Sequence, residues 1–297
     1  MPKFYDFALR ESSLKALERM DIHTPTPIQA QSIPVLLEKR DIIAQAQTGS
    51  GKTLAFALPI MEHCDPARHE VQALILTPTR ELARQVGSVL SDLSKGSGLR
   101  VTLLYGGVGY GPQETALRRG SHVVVGTPGR VLDHQRRRNL RMEQLRMLIL
   151  DEADEMLDRG FAPDVERIIS GTPKDRLTAL FSVAAAAWEH RIASKHQIDP
   201  EIVSSKSEES ELDIEQVVMD VFRQDKFQVL IKLLRQPLDG KTLVFGRTKH
   251  GVRNRGRKLG NQVFQVSVLE GNLGQNQRDR ALGRFREGKS NVLVATN

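Results

Sequence analysis

Ala46-Gln47-Thr48-Gly49-Ser50-Gly51-Lys52-Thr53 is the stretch from which the fold of this 297-residue chain is read. It follows a short apolar strand, Asp41-Ile42-Ile43-Ala44, and opens the helix-like run Leu54-Ala55-Phe56-Ala57-Leu58. Backbone N–H groups and a helix N-terminus therefore converge on one point, which attracts phosphate; the run is a P-loop. Ala46 stands where the general pattern has Gly, but the spacing and the context hold. Further on, Asp151-Glu152-Ala153-Asp154 follows Met147-Leu148-Ile149-Leu150, a buried-strand pattern. Asp151 is thereby expected at the carboxyl end of a strand, where ligands bind in an open α/β sheet. Together the two runs imply a site for a nucleotide and Mg²⁺. Lys52 reaches the outer phosphates, Thr53 and Asp151 hold the metal, and Glu152 orients or activates the attacking water for in-line phosphoryl transfer.

Working outward, strand-length apolar runs alternate with helix-like segments: 73–77, 101–105, 122–125, 147–150 and 177–181. This βαβ rhythm predicts a parallel sheet covered by helices on both faces. Residues 205–214 are polar and without apolar period, which predicts a linker between an N-terminal domain, 1–204, and a C-terminal one, 215–297. The rhythm restarts with Gln216 to Val221, a helix around Phe227 to Leu234, and strands at Thr242 to Phe245, Val263 to Val268 and Asn291 to Ala295. The last of these has no following helix to cover it, so the second domain reads as incomplete.

Composition narrows the class. With 39% hydrophobic and 27% charged residues the chain reads as soluble and globular, and no apolar run approaches the roughly 18 residues of a membrane span. The N-terminus lacks the apolar core of a secretory signal, and the lone Cys64 has no partner for an intramolecular disulfide, which points to the cytoplasm. Net charge is +7, yet residues 215–297 hold 16 Lys and Arg against 7 Asp and Glu. The basic excess lies in the last third, where it favours a polyanion or forms a solvated basic surface. Arg136-Arg137-Arg138 reads as an exposed helix end.

With these motifs in order, the chain resembles the DEAD-box RNA helicases over nearly all of its length. Thr24-Pro25-Thr26-Pro27-Ile28-Gln29 is similar to the family's Q motif, within about residues 1–30, in which the glutamine amide reads adenine; Phe4 matches its isolated upstream aromatic. The resemblance implies RecA-like domains, with ATP held by Phe4, Thr24, Gln29, Ala46, Gln47, Thr48, Gly49, Ser50, Gly51, Lys52, Thr53, Asp154 and Ser182. Pro78-Thr79-Arg80, Gly106-Gly107, Thr127-Pro128-Gly129-Arg130 and Arg247-Thr248 resemble the motifs that bind RNA. Such strand ends and helix starts offer N–H groups, hydroxyls and arginines to phosphates, which positions a strand without reading its sequence. Within the family, Tyr105 to Gly111 look most similar to the bacterial heat-resistant RNA-dependent ATPases.

The chain also departs from the family pattern. Ile22 stands where an aromatic usually stacks on adenine, and Ser182-Val183-Ala184 where the family reads Ser-Ala-Thr, a motif tied to coupling hydrolysis with strand separation. Glu270 replaces a usual His, and Asn272 and Asn297 replace usual Asp. Asn297 is also the last residue, so the family's final arginine motif lies beyond these residues. Arginine fingers are worth roughly 10³–10⁵ in rate in comparable NTPases. Residues 1–297 alone are therefore expected to bind ATP and RNA with little turnover. The expected function is an ATP-dependent RNA helicase, with RNA-stimulated hydrolysis driving local unwinding. The alternatives are a nucleotide-responsive RNA-binding module and a P-loop motor acting on DNA; the Q motif and the Asp-Glu-Ala-Asp run argue against the last.

Overall fold

The computed structural model describes residues 2–183, 187–204, 215–236, 240–262 and 264–296, without the side chains of 187–190. It divides into two units, Met1–Glu211 and Leu212–Asn297. The expected linker, 205–214, lies outside the described residues, as do Ala184, Val263 and Asn297.

Seven strands build the first unit: β1 (Ile42–Gln45), β2 (Ala73–Leu76), β3 (Val101–Leu104), β4 (Val123–Gly126), β5 (Met147–Asp151), β6 (Leu177–Ser182) and β7 (Glu201–Ser204). They pair in parallel in the order β3-β4-β2-β5-β6-β1-β7. Because side chains alternate across a strand, each run feeds two cores. Ile42, Ala44, Ile75, Val125, Ile149, Ala179 and Phe181 face one. Ile43, Leu74, Leu76, Val124, Leu148, Leu150 and Leu180 face the other. The first core is closed by α1 (Glu11–Arg19), α2 (Pro27–Leu37), α3 (Lys52–His63) and α4 (Arg80–Leu93). The second takes residues from α5 (Tyr110–Arg118), α6 (Pro128–Arg136), α7 (Ala153–Asp158), α8 (Ala162–Ser170) and α9 (Ala187–His196). Phe56 of α3 meets Phe181 of β6 edge to face, ring centroids 5.2 Å apart, both fully buried. That contact seats the P-loop helix on the strand beside it.

The second unit is a parallel three-stranded sheet of β8 (Thr242–Gly246), β9 (Val266–Leu269) and β10 (Val292–Thr296), ordered β8-β10-β9. Around it lie α10 (Lys226–Leu234), α11 (Lys249–Gly260) and α12 (Gln275–Arg286). The last strand, β10, inserts between the other two, and Val292 to Ala295 are buried; no helix follows it among the described residues. One expectation is corrected here. Gln216 to Val221 is no strand among the described residues, because nothing there pairs with it; Val217, Val218 and Met219 stand exposed. No helix among the described residues is long and apolar enough to cross a membrane.

Candidate functional site

The carboxyl ends of the first unit's strands carry nearly all of the residues singled out above. From β1 the chain enters the P-loop, whose Ala46 N–H donates to the Ser182 carbonyl at the end of β6 (2.9 Å). Gly49 and Gly51 take left-handed conformations, φ +87° and +92°, which a side chain would strain. α3 then starts at Lys52. Lys52 is buried, and its ammonium donates to the Ala46 carbonyl at 2.9 Å, spanning the loop from within. Gln47, Thr48 and Gly49 remain exposed, while Thr53 is half-buried at the helix start.

Gln29 locks onto this loop. Its Oε1 accepts the Thr26 N–H (3.0 Å) at the start of α2, and its Nε2 donates to the Gly51 carbonyl (3.0 Å). A Cβ at Gly51 would collide with that amide. Thr24 is exposed beside it. Phe4 is instead buried in the first core, edge to face with Phe7 at 6.2 Å, and Ile22 packs half-buried against the same core.

Across β6, the end of β5 presents the acids. Asp151 is 3% exposed, and burial pushes its carboxyl up to about 7, against the pull of Lys52. Burial also raises Glu152, again opposed by Lys52. Glu152 sits at φ 54°, ψ 55°, a left-handed conformation rare for a residue with a side chain, held where strand turns into α7. Asp154 is held at both oxygens: one accepts the Glu155 N–H (3.0 Å), the other the Val183 N–H (3.1 Å). It ties the end of β5 to the end of β6. Ser182 is buried there.

No group of three or more His, Cys, Asp or Glu placed to hold a metal ion together occurs among the described residues. Mg²⁺ does not require one, since it is held by one or two carboxylates with waters and substrate phosphates. The Thr53 hydroxyl and a buried Asp151 carboxyl short of countercharge form an all-oxygen donor set that fits it.

The same edge continues over β2, β4 and β3. After β2, Pro78 is buried and Thr79 caps α4, its hydroxyl accepting the Leu82 N–H (3.1 Å). After β4, Thr127 donates its N–H to the Leu104 carbonyl (2.9 Å) and precedes α6, whose first residues are Pro128, Gly129 and Arg130. After β3 comes the turn of Gly106 and Gly107, the latter at φ +79°; a Cβ on Gly107 would run into the Arg80 guanidinium. The structure thus gathers these three motifs, and it gives Arg130 a role the sequence does not reveal. Arg130 is 9% exposed, with Nη2 donating to the Val108 carbonyl (3.1 Å).

In the second unit, Arg247 is exposed after β8 and Thr248 caps α11, its hydroxyl accepting the Gly251 N–H (3.1 Å). The departures at Glu270 and Asn272 are built into one turn. Glu270 accepts the Asn272 N–H (2.7 Å) and a bond from Arg253, and Lys249 reaches the Asn272 side chain (3.1 Å). The backbone donor and then Arg253 hold the Glu270 carboxyl below its ordinary range. Sequence reasoning could not find this compensation, because Arg253 lies on α11, a separate element.

The DEAD/DEAH box helicase family model matches residues 26–191. The chain belongs to this family. The helicase conserved C-terminal domain model matches residues 225–297. A DEAD-box relative named ATP-dependent RNA helicase CshA, from Listeria monocytogenes, is 43% identical over 298 residues, 100% of this chain and 57% of the relative. A DEAD-box ATP-dependent RNA helicase CshA of Bacillus subtilis is 41% identical over 99% of this chain and 60% of its own. The chain therefore spans about three fifths of the length of these curated relatives. Among solved structures, S. cerevisiae Dbp5 bound to RNA and ADP BeF3 matches with TM-score 0.89 and 34% identity, over 100% of this chain and 76% of that one. A DEAD-box protein from Methanococcus jannaschii matches with TM-score 0.67 and 36% identity, over 99% and 80%.

Proposed function

We propose that the chain is the nucleotide- and RNA-binding part of an ATP-dependent RNA helicase, acting in the cytoplasm. The observation that carries this reading is the division of one sheet edge. The ends of β1, β6 and β5 bear the P-loop, Ser182 and the acids, while the adjoining ends of β2, β4 and β3 bear helix starts and a glycine turn. A nucleotide and a phosphate backbone can thus lie side by side on one rigid layer.

In this reading the P-loop N–H groups and Lys52 take the phosphates of ATP, so Lys52 exchanges the Ala46 carbonyl for a phosphate oxygen. Gln29, fixed to Gly51, sets the base end of the pocket. Thr53 and Asp151 hold Mg²⁺, which supplies charge neutralisation for phosphoryl transfer. Glu152 orients or activates the water. RNA is held through its backbone, and a bound RNA stimulates hydrolysis. The relatives' names as RNA helicases and the RNA in the yeast complex support this assignment.

The test is ATP hydrolysis by residues 1–297 and by a version with relatives' further length appended, each with and without single-stranded RNA. Both are expected to bind nucleotide; RNA-accelerated turnover is expected from the longer one. Lys52→Ala abolishes nucleotide binding, and Glu152→Gln binds without turnover. RNA binding that responds to nucleotide, with no turnover in either version, would favour the binding-module reading, to which the altered turn at Glu270 and Asn272 lends support.

A further inference from the structure

Arg130 stands in a motif that suggests a phosphate contact, yet much of its guanidinium is committed to the protein, only Nη1 being buried without a hydrogen-bond partner. Besides its bond to Val108, it lies 4.0 Å from the centroid of the Tyr110 ring. Arg137, about two helical turns further on and capping the end of α6, lies 3.9 Å from the same centroid. A ring flanked by two cations gains on both, since each faces π density. The Tyr110 hydroxyl donates to Asp133 (2.9 Å), a third residue of α6, between the two arginines in sequence. The other end of the turn is held as well: Gln113 Nε2 donates to the Tyr105 carbonyl (3.1 Å), and Gln113 Oε1 meets His134 Nε2 of α6 (3.1 Å).

Helix α6 therefore grips the turn from Tyr105 to Tyr110 at two points, directly through Arg130 and indirectly through His134. Between these points lie Gly106 and Gly107, whose missing Cβ atoms let the Arg80 guanidinium pack directly on the backbone of the turn. We propose that Tyr110 and Arg130 are positioning residues that clamp the Gly106-Gly107 turn against α6, so that backbone groups of the turn, rather than the Arg130 guanidinium, meet the RNA phosphates. The proposal rests on the RNA-binding reading above and departs from a direct phosphate contact by Arg130.

The clamp and a direct contact differ in their salt dependence. A lost phosphate contact reduces the slope of log affinity against log salt by roughly 0.7 for a single strand. A lost clamp lowers affinity and leaves the slope unchanged. Binding of a fluorescein-labelled ten-nucleotide oligouridylate, with a non-hydrolysable ATP analogue present, is measured across salt for Tyr110→Leu, Tyr110→Phe, Arg130→Met and the Leu/Met double variant. Tyr110→Leu and Arg130→Met are each expected to weaken binding about tenfold at constant slope. The double variant should be no weaker than the worse single one, because both remove one device. Tyr110→Phe keeps the ring but loses the hydroxyl bond to Asp133, so it should fall between the parent and Tyr110→Leu, and fluorescent ADP binding should be unchanged throughout, which excludes misfolding. A slope reduced in Arg130→Met, additive losses in the double variant, or a Phe variant as weak as Leu would overturn the proposal. If the parent binds no RNA at all, the functional reading fails separately. The clamp is then decided by amide hydrogen exchange over residues 106–110, which must accelerate in both Tyr110→Leu and Arg130→Met.

Discussion

Asp41 offers the sharpest test of how the first unit is held together, because one buried carboxylate joins three elements at the sheet's amino end. It is 7% exposed; Oδ1 accepts the Thr178 N–H of β6 (2.6 Å) and Oδ2 the Ile198 N–H between α9 and β7 (2.7 Å). Its own carbonyl accepts the Glu201 N–H of β7 (2.8 Å). Asp41→Ala leaves two backbone donors without partners, at about 1–3 kcal/mol each. Removing a carboxylate that burial disfavours returns part of this, so a net loss of about 2–4 kcal/mol is expected. With a urea m-value near 2 kcal/mol/M, the midpoint falls by about 1–2 M. Asp41→Asn retains one acceptor and should lose about half as much.

Two units need not unfold together, so the probe must report on the first alone. Cys64 is the chain's one cysteine and is buried in that unit's core, so pulsed alkylation against urea follows it specifically. Acid adds a signed check. Burial raises the Asp41 carboxyl above its ordinary value despite the two N–H donors and Arg176. The folded state therefore binds the proton more tightly than the unfolded chain, and this contribution is present below the ordinary carboxyl value and lost as pH rises through the folded one. The stability gap between the parent and Asp41→Asn should accordingly widen on acidification from neutral pH to about pH 4, near the ordinary carboxyl range. An unchanged midpoint for Asp41→Ala would refute the hydrogen-bond argument, and a gap that narrows in acid would refute the burial argument.

Three other perturbations test separate parts of the structure. Gly51→Ala forces a side chain into a left-handed position, at about 1–2 kcal/mol, and displaces the Gln29 amide, at about 0.5–1.5 kcal/mol more; fluorescent ADP titration should show affinity falling by one to two orders of magnitude. Burial pushes the Cys64 thiol up to about 12, so native protein should resist iodoacetamide at pH 8.5, and stability should decline as pH rises from 9 toward 12, a decline absent in Cys64→Ala. Glu270, held low by Asn272 and Arg253, contributes stability above its ordinary value that is lost as pH falls through the folded one; the advantage of the parent over Glu270→Gln in thermal melts should vanish in acid.

The architecture of the first unit was legible because parallel strands buried on both faces are written as unbroken apolar runs, and each run from Ile42 to Phe181 became a strand within a residue or two of its expected span. The same rule misread Gln216 to Val221, since an apolar run becomes a strand only with a neighbour to pair with. Strand order was not legible: β1 lies between β6 and β7, and its partners are set by crossovers that no local pattern encodes. Motif residues were placed correctly at strand ends, but their commitments were hidden. Arg130 reads as a cation available to phosphate, and only its distance to Tyr110 and Val108 shows where that charge is used. Phe4 reads as a nucleotide contact, and the structure packs it in the first core beside Phe7.

The run from Asp151 to Asp154 shows why such commitments matter for chemistry. Three carboxylates within four residues repel one another, and identical surroundings would leave them interchangeable. Strand, turn and helix make them different. Asp151, still in β5, is buried and raised, a state that a divalent cation beside Thr53 would reverse by supplying the missing charge. Glu152, at the left-handed turn, is only half-buried and is aimed by a backbone conformation that costs about 1–3 kcal/mol, strain that persists because β5 and α7 fix both of its sides. Asp154, inside α7, accepts one backbone N–H on each oxygen, which fixes its orientation. Its bond to Val183 ties the end of β6, where Ser182 holds the P-loop through Ala46, to the acids. β5 is in turn the direct neighbour of β2, which carries the first of the RNA-binding candidates, so the Asp154 bond connects the P-loop side of the edge to that side through a single strand pair.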